Sequence, residues 1–146
     1  MARKEKRIFE IQKNIDIWIN SKEAKECLYT KYLVYAPNLL DLLVKLSFDN
    51  SMNSQDVSHI NSAIKYFDSA FDLFPEEFLG IPGYLDDIFV SAYVISNISN
   101  EINNPIIKKH WTGDFDIFEL VQLIINDANE MLGKNIWNKL KNNFSR

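Results

Sequence analysis

The sequence predicts an all-α fold: a single-domain bundle of six or seven helices around a central apolar helix at about residues 84–99. Three observations carry that expectation. Apolar residues recur at three- and four-residue steps over most of the chain, the spacing of amphipathic helices. Glycine and proline number only four each in 146 residues, too few breakers for an architecture of many short strands. The segment from Tyr84 to Ile98 is apolar around its circumference, with Leu85, Phe89, Ala92 and Tyr93 on one side, Val90, Val94 and Ile98 on another, and Ile88 and Ile95 between. A helix of that kind is covered on all sides. With 47% hydrophobic and 13% aromatic residues, the chain can build a core, and composition argues against disorder.

The first helix is expected over residues 4–20, with Ile8, Ile11, Ile15 and Trp18 facing inward and Asn20-Ser21 breaking the pattern. Ser21 is placed to cap a second helix, with Glu23 in its first turn. That helix carries Ala24, Leu28, Tyr32 and Tyr35 on one stripe as far as Pro37. There the chain either kinks or starts a new helix, because proline lacks an N–H and disfavours helix in the residue before it. Leu39 to Leu46 is too apolar for an exposed helix and reads as core. Asp49 to Asn53 is a loop. Ser54 caps the next helix, with Asp56 in its first turn and Ile60, Ala63, Ile64, Phe67 and Phe71 inward. His59 lies off that stripe and reads as a surface histidine. Asn104-Pro105 starts a short helix reaching about Trp111, with proline at the first helical position. Thr112-Gly113 is a turn. Asp114 and Asp116 open a helix whose Phe118, Val121, Ile124 or Ile125, Ala128, and Met131 or Leu132 face the core. Gly133 suits a left-handed C-terminal cap, and a short, amphipathic, basic segment from Ile136 to Phe144 follows. With no linker and no repeat, residues 1–146 read as one domain.

The stretch Phe71 to Asp87 concentrates helix breakers and carboxylates. Pro75-Glu76-Glu77 makes a good first turn for a short helix, with proline first and two acids at the positive dipole end. Gly80 ends it and Pro82-Gly83 turns the chain. Gly83 can act as N-cap, which puts Asp86 at the third helical position, where its carboxylate meets free N–H groups. At the end of a central helix, Asp86 and Asp87 are partly enclosed, and an unpartnered buried carboxylate is costly. Backbone N–H groups are the structural remedy. A divalent cation shared by Asp72, Asp86 and Asp87, with Glu76 or Glu77 as a further ligand, is the functional one. Asp72 motivates it most, because an anion near a helix C-terminus opposes the dipole. The spacing is not that of a calcium loop. No other cofactor is expected.

The run Asp72-Leu73-Phe74-Pro75-Glu76 and then Gly83-Tyr84-Leu85-Asp86-Asp87, with Tyr66-Phe67 ahead of them, resembles the signature of the YkvA-like family, a small bacterial helical domain of unknown function. Trp111 to Asp116 and Met131-Leu132-Gly133 resemble a longer subgroup of it. The signature core would cover about residues 60–99. Ala70 stands where many members have proline, Phe74 replaces an isoleucine, and the turn residues run in a different order, Gly80-Ile81-Pro82-Gly83. The resemblance implies an α-helical fold and a sometimes proposed membrane association. It brings no established reaction, cofactor or partner.

The net charge of −4 is unevenly placed. Arg3, Lys4, Lys6 and Arg7 crowd the start against one acid, Glu5, and Lys134, Lys139, Lys141 and Arg146 crowd the end against none. The body between them holds eight basic and nineteen acidic residues. Such a body repels nucleic acid, which is not expected as a partner. The basic ends are either solvated or touch an anionic membrane surface. The single cysteine, Cys27, excludes an intrachain disulfide and has no evident histidine partner. The opening reads as an amphipathic helix and not a signal peptide, and no apolar run spans a bilayer. A cytoplasmic location is expected, with peripheral membrane attachment as the alternative. No glycine-rich phosphate loop or catalytic constellation is evident. The leading functional expectation is a non-catalytic helical interaction or accessory module with a protein partner. The alternatives are a divalent-metal-binding protein or hydrolase using the acidic cluster, and a peripheral membrane protein. Calorimetric titration with magnesium, manganese and calcium tests the cation reading. It expects binding heat and a raised melting temperature, and a folded protein showing neither would end it.

Overall fold

A computed structural model describes residues 2–22, 25, 30–68, 84–132 and 134–143. Among them every regular element is helical: α1 (Ala2–Trp18), α2 (Thr30–Leu33), α3 (Ala36–Ser47), α4 (Ser54–Asp68), α5 (Tyr84–Ile98), α6 (Asn104–His110), α7 (Ile117–Leu132) and α8 (Lys134–Asn143). With α2 a single turn, seven longer helices form the all-α bundle that the apolar spacing predicts. Ala24, Leu28, Phe71, Gly133, the side chain of Phe67 and the short helix expected after Pro75 fall outside the described residues.

Helix α5 is the centre, packed by α2, α3, α4, α7 and α8. Ile88, Phe89, Val90, Ala92, Val94, Ile95 and Ile98 are all buried. Ser91, in the same buried run, folds its hydroxyl back to donate to Asp87 O at 2.8 Å, so it strands no polar atom. Around α5 stand Leu39, Leu42, Leu43 and Leu46 of α3, Ile60, Ala63 and Ile64 of α4, and Leu120, Ile124 and Ala128 of α7. Trp137 closes the α8 side, edge-on to Phe89 and Tyr93 at centroid distances of 6.2 and 6.0 Å. Helix α1 contributes Ile11 and Ile15 to the core, with Ile8 and Trp18 packed at its margin. No helix among the described residues is long and apolar enough to cross a membrane.

Three local readings are resolved or corrected by packing. Pro37 starts a new helix and does not kink the old one. Helix α2 stops at Leu33, Tyr35 takes the N-cap position, and Pro37 sits in the first turn of α3, where its missing N–H is harmless. Helix α4 is capped by Asn53, with Ser54 already helical. Asn53 Oδ1 accepts the Asp56 N–H at 2.8 Å while Asn53 Nδ2 donates to Asp56 Oδ2 at 2.9 Å. The Asn53 amide thus accepts the third-position N–H through its oxygen and holds that residue's carboxylate through its nitrogen, a side-chain variant of the capping box. His59 is half-buried: its Nε2 lies 3.4 Å from Asn97 Nδ2 of α5, and burial lowers its pKa.

Buried polar groups tie the ends of the helices. The Asp56 carboxylate is 3% exposed and accepts from Asn103 Nδ2 at 2.9 Å, and the same nitrogen donates to Ile98 O at 2.8 Å. Asn103 thereby joins the start of α4 to the end of α5. At the far end of α6, His110 Nε2 meets Asp49 Oδ2 at 2.7 Å, with Lys109 Nζ at 3.4 Å. The His110 contact and the Ser51 N–H hold the Asp49 carboxyl well below the usual carboxylate range.

Replacing Asn103 by alanine removes one donor from a buried carboxylate and one from a helix-end carbonyl. Urea unfolding of Asn103→Ala should show a loss of about 1–3 kcal/mol. An unchanged midpoint would mean that the bridge contributes nothing.

Candidate functional site

The acidic stretch is the site that sequence reasoning singles out. Asp72, Glu76 and Glu77 fall outside the described residues, and so does the side chain of Asp86. Asp87 occupies the first turn of α5 and is 7% exposed. Among the described residues, no three or more His, Cys, Asp or Glu side chains are grouped so as to hold a metal ion.

The described residues assemble a polar cleft elsewhere, where the loop between α6 and α7 folds over the α2–α3 junction. Helix α6 ends because Trp111 adopts extended backbone, φ −72° and ψ 129°, while its N–H still donates to Ile107 O. The indole Nε1 then donates to Phe115 O at 2.7 Å, closing the loop on itself. Gly113 lies against that ring: a Cβ at this position would run into the six-membered part of the indole. Glycine is required here by close approach. Asp116 caps α7 by accepting the Glu119 N–H at 2.9 Å, as its place in the sequence predicts. Asp114, expected to share that role, turns instead to Tyr35.

Two side-chain bonds clamp the loop to α3. Tyr35 donates its hydroxyl to Asp114 Oδ1 at 2.6 Å, and Asn38 Nδ2 donates to Thr112 Oγ1 at 3.1 Å. The Tyr35 and Trp111 rings sit 6.1 Å apart at 35°. The bond to Asp114, aided by burial, pushes the Tyr35 hydroxyl up to about 12, so it remains a donor at neutral pH. With Gln12 of α1 and Val34, these residues line a cleft of about 320 Å³. A parallel bond lies deeper, where Tyr32 donates to Asp127 Oδ2 of α7; burial first, then that carboxylate, raises the Tyr32 pKa. A larger groove, about 610 Å³, is lined by Val57 and Ile64 and the small polar face of α4 from Ser54 to Lys65.

The cleft was not legible in the sequence. Thr112-Gly113 reads as a turn and Asp114 as a helix opener, but their partners lie 74 and 79 residues away. No local pattern brings Tyr35 and Asn38 to them. The Asn53-x-x-Asp56 spacing signals the α4 cap, but nothing local points to Asn103, 47 residues beyond Asp56.

A family model described as "Protein of unknown function (DUF1232)" matches residues 60–96, reaching from α4 through most of α5. This falls on the segment that resembles the YkvA-like signature, and none of the cleft residues lies in it. The chain is 30% identical over 105 residues to "Uncharacterized protein ORF9" of Methanothermobacter thermautotrophicus, with 72% of each chain covered. No solved structure matches it.

Gly113→Ala forces the indole to move and breaks its bond to Phe115. A loss of about 1–3 kcal/mol is expected, together with a changed near-ultraviolet circular dichroism spectrum. A variant identical to wild type in both would show that the ring does not need the gap.

Proposed function

The chain belongs to the DUF1232 family, whose function is unknown, and on that premise we propose that it is a non-catalytic helical interaction or accessory module that binds a protein partner. The observation that carries this reading is on α1. Its inner face delivers Ile11 and Ile15 to the core, while Phe9 and Ile17 stand 68% and 67% exposed. They lie about two turns apart, and Ile19 just beyond the helix is also exposed. Single exposed apolar residues are ordinary, but large ones repeated along one helix are a docking strip for another apolar surface. Covering a side chain of this size yields about 1.5–3 kcal/mol. The same reading takes residues 1–146 as one domain of the longer YkvA-like subgroup, supported by the likeness at Trp111–Asp116, and places it in the cytoplasm.

A photo-crosslinking amino acid placed at Phe9 or Ile17 in cells tests it, with exposed Gln122 of α7 as the control position. A discrete adduct at the α1 positions and none at Gln122 is expected. No adduct at either α1 position, or the same adducts at all three, would overturn the reading.

A further inference from the structure

The cleft between α1, α3 and the α6–α7 loop carries one charge, the Asp114 carboxylate, beside side-chain oxygens with lone pairs to spare. Tyr35 donates to Asp114 Oδ1, Asn38 Nδ2 to Thr112, and Gln12 Nε2 to Asp16 Oδ1 at 2.8 Å. Among the described residues, Asp114 Oδ2, Asn38 Oδ1 and Gln12 Oε1 accept no hydrogen bond. Among the described residues no lysine or arginine lines the cleft and Asp114 forms no ion pair. An anion would meet the Asp114 carboxylate with no cation among the described lining residues to offset it. A cation would meet one full negative charge, two amide oxygens and the side chain of Tyr35, whose ring packs against Trp111 behind it.

Among cations, the shape of this set separates guanidinium from ammonium. A guanidinium is planar, offers five N–H donors and no acceptor, and stacks on aromatic faces. An ammonium is a compact, strongly hydrated point charge without the flat fork that can lie along a carboxylate and a ring together. The carboxylate is also held ready: the Tyr35 hydroxyl fixes one oxygen, and the Trp111–Gly113 contact with the Trp111–Phe115 bond fixes the loop that carries it. Little ordering remains to be done on binding. We propose that this cleft binds a guanidinium group, held by Asp114 and by the side-chain oxygens of Asn38 and Gln12, against the Tyr35 ring. The group is carried either by free arginine or by an arginine side chain of a polypeptide. This inference goes beyond the docking strip on α1 and stands whether or not that strip is used.

The test is a nitrogen-15 NMR titration of the whole chain with N-acetyl-arginine amide, with free L-arginine, and with N-acetyl-citrulline amide as the neutral isostere. The Trp111 indole N–H and the Asn38 side-chain amide are the reporters. Saturable shifts with an arginine probe are expected, with citrulline binding about tenfold more weakly or worse. Asp114→Asn, which can still accept the Tyr35 hydroxyl, should weaken the arginine probe by a similar factor. Gln12→Ala, on an exposed position of α1, should weaken it severalfold and serves as the second variant if Asp114→Asn does not fold. Glu119→Gln, which changes a carboxylate outside the cleft by the same chemistry, should leave binding unchanged. Tighter binding of the capped probe assigns the polypeptide source, and tighter binding of the free amino acid assigns the small molecule. No saturable shift, equal binding of citrulline, or equal weakening by Glu119→Gln would overturn the proposal.

Discussion

A helix that is apolar around its whole circumference has to be surrounded, and α5 places that demand on every other part of the chain. Its residues from Ile88 to Ile95 leave no face for water, apart from the margin at Tyr93. Helices α3, α4, α7 and α8 each bring one apolar stripe to it. The surrounding helices also close on one another, α3 on α4 and α1 on α3, so the walls form a continuous shell around it. The same demand explains Ser91: a hydroxyl on such a helix has to bond to its own backbone, and Asp87 O is the acceptor one turn back.

Surrounding one helix also dictates where polarity can go. The polar side chains that bridge elements sit near the helix ends and margins, where the walls meet: Asp56 with Asn103, Asp49 with His110, Tyr32 with Asp127, and Tyr35 with Asp114. The exposed members of this set add little stability individually. Their effect is positional. They decide which loop lies over which helix end, and the α6–α7 loop, held over the start of α3, makes the cleft as a consequence. The matched family segment forms the centre of the bundle, whereas the cleft is built from residues on both sides of it. Shared ancestry in the core therefore leaves the chemistry of the cleft to be argued from this chain's own residues.

The helix starts show how far local reasoning reaches. Asp116 caps as expected and Pro105 opens α6 at its second residue, one later than expected, because their signals act within one turn: a carboxylate beside free N–H groups, and a missing N–H that nothing needs. Pro37 left two outcomes open, and the burial of Tyr32, Leu33 and Ala36 on either side of the break selected a new helix over a kink. The choice between Asn53 and Ser54 went the other way. Both are good caps by type, and the deciding partner, Asp56, is also held by Asn103, 47 residues on. His59 lies off the main apolar stripe of α4, yet the width of α5 brings Asn97 against it.

Among the described residues, the sequence by itself determined the longer helices, most of their inward faces and the identity of the central one, because these depend on spacings of three to four residues and on the first and last turns. The all-apolar segment from Tyr84 to Ile98 was sufficient to predict its own burial. Only the tertiary structure decided which polar side chains meet. Tyr35 and Asp114 carry no mark of each other, and neither do Asn38 and Thr112, since their approach depends on how the walls pack around α5. Hydrophobic periodicity specifies a face, and faces can be satisfied without specifying a hydrogen-bond partner. The pairing comes from directional bonds made after the walls are in place.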